Sequence, residues 1–147
     1  MADHLHKQIR AALVTKLTGL TTTGVRVYAN RLQPMQDANL PGLRIFADDE
    51  RAEVLTATDD YVLRRELTLF VEACSKKASG LDDELDLISK EVETALAAGI
   101  TVSGRDIEVF YTGMSFDDEQ LEKPVGVKRM TFTIPYQAAA GTPDAFA

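Results

Sequence analysis

YVLRRELTLFVEACSKKASGLDDELDLISKEVETALAAG, residues 61–99, holds the change of period that decides the fold. From Tyr61 to Ser75, Leu63, Arg65, Leu67, Leu69, Val71 and Ala73 alternate with Arg64, Glu66, Thr68, Phe70, Glu72 and Cys74. A period of two predicts a long strand, mostly half buried. Its first half is charged on both faces, so that end is expected to project beyond the core. After KKASG the period lengthens, with Leu81, Leu85, Ile88, Val92 and Leu96 at helical spacing over 81–97. Ser79 and Asp82 approximate a capping box. Asp82, Asp83 and Glu84 stand where the helix dipole favours negative charge, each contributing about 0.3 to 1 kcal/mol. Gly99 ends the helix.

Toward the N-terminus, Leu5, Ile9, Ala12, Leu13 and Leu17 mark an amphipathic helix over 3–18, with Asp3 as the expected N-cap and Gly19 as its stop. TTTGVRVYAN then reads as a short strand. RLQPMQDANLPG, with two prolines, interrupts regular structure before a strand that begins at Leu43. The polar stretch DDERAEVLTATDDY suits either a hairpin arm or a projecting loop. Toward the C-terminus, DIEVFYTG predicts a strand over 106–112 and MSFDDEQLEKPVG a loop. The last strand, GVKRMTFTIPYQ, turns Met130, Phe132, Ile134 and Tyr136 inward. Pro135 cannot donate a ladder hydrogen bond, which puts this strand near an edge or its own end there. The pattern predicts one domain over 1–137 and a flexible tail over 138–147.

The 147 residues suffice for one core without staples. An apolar share of 45% and a charged share of 27% exclude a disordered chain. Because no apolar run reaches the ~18 to 20 residues of a membrane span, and the start lacks a signal-peptide pattern, a cytosolic product with no membrane partner is expected. Cys74, alone in an apolar strand pattern, reads as a core filler. The net charge of -7 is unevenly spread. Residues 1–47 hold six Lys/Arg and two Asp/Glu, while 48–147 hold ten and 21. The first part is therefore +4 and the second -11. Such a split lets copies of one protein attract each other head to flank, unless folding interleaves the two parts. An acidic chain without a basic run is a poor match for phosphate backbones.

Three DDE runs, at Asp48-Asp49-Glu50, Asp82-Asp83-Glu84 and Asp117-Asp118-Glu119, raise the question of a carboxylate metal site. Such sites draw single carboxylates from strand ends into a dry cavity, whereas these acids come as runs in polar surroundings. A solvated reading is therefore favoured over a carboxylate-dependent metalloenzyme, and no catalytic, metal or cofactor residue is assigned. His4 and His6 lie two apart and cannot share a helix face. Phosphate-loop, dinucleotide and zinc-protease signatures are missing. What remains is a small acidic domain with a projecting strand, a long Pro-rich loop and a tail, the parts of an assembly subunit.

Read in order, IRAALVTKLTGLTTTGVRVYANRLQPMQDANLPGLRIFADDE, RRELTLFVEACSKKASGLDDELDLISKEVETAL and GVKRMTFTIPYQ resemble the tail terminator proteins of long-tailed bacteriophages, over roughly residues 5–137. The resemblance lies in order and spacing rather than in a catalytic fingerprint. It implies an α+β subunit, a mixed sheet of about five strands with two helices on one face, assembled as a homo-hexameric ring. It further implies a structural, non-enzymatic virion protein, made in the bacterial host cytoplasm and placed at the head-proximal end of the tail. There the ring would cap the tail tube, stop its polymerisation and offer the head-tail joining surface. Its partners would be further copies of itself, the tail tube protein and a head-tail connector protein, with DNA passing through the channel without specific binding. A head-tail connector or tail completion subunit of the same assembly is the alternative.

Within that implied setting, Arg64, Arg65 and Glu66 are candidates for the contact between subunits, because a charged segment on a projecting strand needs partners. The other reading is a solvated hairpin base. The loop from Gln33 through Pro34 and Met35 to Pro41, and the tail from Ala138, are candidates for touching the tube or the connector. Plain surface is the other reading for both.

Overall fold

The computed structural model describes residues 2–56, 59, 61–119 and 125–147, of 118 and 119 the backbone alone. In chain order the elements are α1 (Leu5–Leu17), β1 (Val27–Tyr28), a 3-10 turn (Asp37–Asn39), β2 (Gly42–Val54), β3 (Val62–Ser75), α2 (Leu81–Leu96), β4 (Ile100–Val102), β5 (Arg105–Ile107), β6 (Phe110–Glu119) and β7 (Val125–Ala139). The main sheet has the order β1-β2-β3-β7-β6. Only β1 runs parallel to its neighbour, pairing Val27 with Leu43 and Tyr28 with Arg44. The chain is thus the expected α+β fold, a mixed five-stranded sheet with two helices on one face.

Alternation decides which side of the sheet the helices cover. Leu67, Leu69, Val71 and Ala73 of β3 share a face with Met130, Phe132, Ile134 and Tyr136 of β7, and all are buried. Against them lie Leu5, Ile9, Leu13 and Leu17 of α1 and Leu85, Ile88, Val92 and Leu96 of α2. These are the positions that both helical periods single out. Each fully buried Leu or Ile contributes about 1.5 to 3 kcal/mol of transfer free energy, which makes this layer the main stabilising term. A second, smaller core lies on the opposite face, where Met35 meets Cys74, Val125 and Val127. Cys74 fills space there as expected.

Several local expectations give way. His4, not Asp3, caps α1, its Nδ1 accepting from the His6 backbone N–H at 3.0 Å. The Ser79/Asp82 box does not form either. Gly80 is the N-cap, in the left-handed region at φ 72°, and Glu84 instead accepts from Ser75 Oγ at 2.8 Å. Asp82, Asp83 and Glu84 nonetheless occupy the first turn of α2, where the dipole favours them.

The strand predicted over 106–112 is two strands. β5 closes a hairpin with β4 through Ser103 and Gly104, whose φ values of 49° and 76° fit the primed two-residue turn. β6 starts afresh at Phe110 on the main sheet. The third DDE run continues β6 to Glu119 rather than forming a loop, and the rest of that expected loop, 120–124, lies outside the described residues. The first run lies inside β2, so the hairpin-arm reading holds as far as Val54. Pro135 fits its place, because β6 pairs no further along β7 than Thr133 and requires no ladder donor from it.

Gly42 begins β2 where a Cβ would lie 2.2 Å from the Asn39 carbonyl oxygen, so no larger residue fits between the Pro-rich loop and the sheet. The C-terminal segment, expected to be flexible, packs back on the body. Leu5 N–H donates to the Pro143 carbonyl at 2.8 Å, Ala147 N–H to Gln137 at 3.0 Å, and the Phe146 ring meets Tyr136 edge to face. Strand β7 itself runs past residue 137 to Ala139. Among the described residues, no helix is long and apolar enough to cross a membrane.

Candidate functional site

The first DDE run holds the molecule's most connected carboxylate. Between Ala47, which faces Leu69, and Glu50, which faces Leu67, β2 carries one residue more than β3. A bulge of this kind reverses the phase of alternation. Glu50 therefore takes the helix side that Leu43 and Ile45 hold upstream, while Asp48 and Asp49 stay exposed. On that side the Glu50 carboxylate accepts a hydrogen bond from Tyr136 Oη, lies 2.9 Å from His6 Nε2, and faces Arg65 Nη1 at 3.5 Å. Burial first, and then the bond to Glu50, pushes the Tyr136 phenol well above its ordinary range, so it stays a proton donor. His4 is held below its usual value, first by burial and then by the adjacent His6 ring. With its oxygens facing donors from α1, β3 and β7, Glu50 is built to tie elements together.

Of the proposed contact residues, Arg65 is thus turned inward, its guanidinium 5.9 Å from the centre of the Tyr136 ring. Arg64 and Glu66 emerge on the opposite face, facing each other at 3.6 Å, both about half exposed. The structure splits the Pro-rich loop in the same way. Pro34 is exposed and Gln33 and Pro41 half-buried, but Met35 is fully buried in the second core and is not a surface residue. The Gln33 carbonyl accepts from Arg44 Nη1 at 2.9 Å and the Pro41 carbonyl from Arg26 Nε at 2.6 Å. This loop is held down rather than free.

A charge cluster on the face away from the helices escapes sequence reasoning. Glu72, whose side chain is 2% exposed, faces Arg44 Nε at 2.7 Å and Arg129 Nη2 at 2.9 Å. Arg129 also stacks over Phe70 at 4.6 Å, and Phe70 meets Phe46 edge to face. In an alternating strand Glu72 reads as solvent-facing, and its burial depends on arginines 28 and 57 residues away. One signal was present, an acid flanked by apolar residues in FVEAC.

Folding keeps only part of the charge split. The sheet order sets β1 and β6 at opposite edges, but the exposed acids Asp48, Asp49 and Glu53 of β2 lie at the β1 side, and Lys16 of α1 borders the β4–β5 hairpin beside Asp106. Helix α1 carries Lys7, Arg10 and Lys16 and no acid, and Arg26 and Arg31 flank β1. Over β3 and β7, α2 carries six acids against Lys90, and the sequence of β6 has acids but no Lys or Arg. The flanks also expose large apolar side chains, Val25 and Leu32 beside β1 and Phe110, Tyr111, Met114 and Phe116 on β6. One shallow depression of about 290 Å³ lies between α1 and the β4–β5 hairpin, lined by Ala12, Thr15, Lys16, Gly99, Thr101 and Asp106. Among the described residues, no three His, Cys, Asp or Glu side chains gather as a metal-binding group.

No family model matches the chain, and no curated protein does. Solved structures do share its fold. A chain of the virion of a native gene transfer agent (GTA) particle superposes with a TM-score of 0.52 at 14% identity, over 92% of this chain and 92% of that one. A second solved chain gives a TM-score of 0.51 at 16% identity, over 87% and 94% respectively. At such identities the likeness is one of fold.

Proposed function

We propose that this chain is a structural, non-enzymatic virion protein: a tail terminator whose copies close into a ring, hexameric in the resembled family, on the head-proximal end of a tail tube. The observation that carries the reading is the opposite charge of the two helices on one face of the sheet, α1 with three Lys/Arg and no acid, α2 with six Asp/Glu and one Lys. A ring needs a heterologous interface, in which one patch meets a different patch on the next copy. A basic α1 surface and an acidic α2 surface supply such a pair. The likeness in fold to a virion chain, over 92% of both chains, supports the same setting. The net charge of -7 suits a channel that DNA crosses without sticking.

In this role the ring halts tube growth and presents a joining surface to the connector and the head. The test is deletion in a host that produces the particle, followed by electron microscopy of the tails. Overlong tails are the expected result. Tails of normal length left unattached to heads would replace the terminator reading with a connector or completion subunit. Intact, infectious particles would overturn both.

A further inference from the structure

Past Thr133 the edge of β7 no longer pairs with β6, and its neighbours there are β5 and the C-terminal segment. Between β5 and Pro135–Gln137 lies a groove of about 230 Å³ that Phe146 helps to line. The Phe146 ring stands 5.2 Å from the Arg105 guanidinium and 6.0 Å from the Tyr136 ring. Backbone contacts hold the segment around it. Ala147 N–H donates to the Gln137 carbonyl at 3.0 Å, adding to the strand edge, and the Pro143 and Asp144 carbonyls accept from Leu5 N–H at 2.8 Å and Gln8 Nε2 at 2.9 Å. Phe146 is only half-buried, and Ala145 and Ala147 are exposed.

The link into this segment is a tight reversal. Ala140 N–H still donates to the Tyr61 carbonyl at 2.8 Å, so β7 keeps its course to that residue. The chain then doubles back, with Thr142 N–H donating to the Ala139 carbonyl at 3.0 Å and Gly141 at φ 80°. A Cβ at position 141 would meet nothing within 4 Å, so backbone conformation and not packing calls for glycine there. A reversal that seats a segment in a groove of its own chain can straighten without losing those contacts, provided that an identical groove stands on a neighbour.

We propose that residues 142–147 are exchanged between copies of this chain, the segment of one copy filling the β5/β7 groove of the next. What the groove holds within the chain fixes what it takes from a neighbour: an aromatic ring between a guanidinium and a phenol ring, with backbone hydrogen bonds beside it. Six extended residues span about 20 Å, enough to cross from one subunit to an adjoining one. Exchange joins segment to groove, two unlike patches, which is the contact a closed ring needs. This inference rests on the ring reading above and specifies one contact between its copies.

The test joins Gln137→Cys and Ala147→Cys, positions linked by a backbone hydrogen bond, in a full chain built into particles by a host that produces them. Cys74 is fully buried, out of reach of a short bis-maleimide. After cross-linking and denaturation, a ladder of covalent dimers and larger multimers is expected. The two single variants, co-expressed, should give dimers and nothing larger, and neither should do so alone. Internally cross-linked monomers only, in particles with tails of normal length, overturn the exchange and leave the terminator reading standing. Cross-links to a protein of another mass overturn it by giving the segment a different partner. Absence of the chain from the particles overturns both.

A second arm uses the purified chain. A side chain in the left-handed region disfavours the closed turn about five- to thirtyfold. Sedimentation velocity over a wide concentration range should therefore show Gly141→Val associating more strongly than wild type by about that factor, and Phe146→Ala in the same chain should remove the gain. Unchanged circular dichroism shows that each variant is folded. Equal association of wild type and Gly141→Val overturns the proposal, as does a gain that Phe146→Ala leaves in place.

Discussion

Tyr136 donates its phenolic proton to the carboxylate of Glu50, 86 residues away in sequence. The contact exists because the bulge in β2 turns Glu50 to the helix side, where β7 places its even-numbered residues. His6 at the start of α1 reaches the same carboxylate, and Phe146 of the C-terminal segment leans on the same tyrosine. One carboxylate thereby fastens the N-terminal helix, the base of the β2–β3 arm and the last strand.

Tyr136→Phe should cost about 1 to 2 kcal/mol, the range for a half-buried hydrogen bond to a charged acceptor. The same variant should flatten the alkaline limb of stability. The folded phenol titrates above its ordinary value of 10.0, so its contribution is whole below pH 10 and declines as pH rises toward the folded value. Urea midpoints of wild type and variant should therefore differ most at neutral pH and converge in strong alkali. A constant difference across that range would show that Tyr136 acts through packing alone.

Glu72 sits between Arg44 and Arg129 with almost no access to water. Glu72→Ala leaves two guanidinium groups facing each other without their counter-charge. About 3 to 5 kcal/mol should be lost, as when one member of a buried pair is removed. Chemical denaturation reads this as a lower midpoint at an unchanged slope. Glu72→Gln should fall between, because the amide oxygen still accepts one of the hydrogen bonds.

Met35 anchors the Pro-rich loop in the second core rather than facing a partner. Met35→Ala should cost about 2 to 4 kcal/mol through the cavity it leaves beside Cys74 and Val127. It should also raise hydrogen exchange of the Asn39 and Leu40 amides, which now bond within the loop. Pro34→Ala, at an exposed position, should leave both measurements unchanged.

The helices and the two central strands were legible because their residues obey a single period, and burial follows that period from Leu67 to Ala73 and from Met130 to Tyr136. Features that break a period were not. The bulge at Ala47/Glu50 inverts the meaning of every later position in β2, so no count along the chain separates Glu50 from Asp48 and Asp49. Hairpin β4–β5 was missed because each strand has three residues, too few to show alternation, although the Ser103-Gly104 pair carried a turn signal. Arg65 and Met35 looked like surface for different reasons. A charge on a strand reads as solvated until Glu50 is known to face it, and a methionine between prolines gives no hint of the cavity it fills. The charge split was visible in the sequence. Its spatial meaning was not, because β2 returns the acids Asp48, Asp49 and Glu53 to the side of β1, and the contrast that persists is between α1 and α2.

The opposite charge of α1 and α2 carries an ionic-strength prediction. Attraction between α1 of one copy and α2 of the next acts between exposed charges, and the screening length shrinks from about 10 Å at 0.1 M salt to about 3 Å at 1 M. Self-association should therefore weaken as sodium chloride rises. An interface held by apolar contacts alone would hold or strengthen in salts that favour burial. Reversing charge on one flank, with Arg10→Glu and Lys16→Glu together, should abolish association at low salt while leaving the monomer's thermal midpoint nearly unchanged, because neither residue forms part of the core. A compensating reversal on the other flank, Asp86→Lys with Glu93→Lys, should fail to associate with itself in wild-type background yet restore binding when mixed with the first variant. Rescue on mixing is the decisive result, since only a contact between unlike flanks produces it. If each variant associates as wild type does and mixing changes nothing, the opposite charge of the two helices plays no part in assembly.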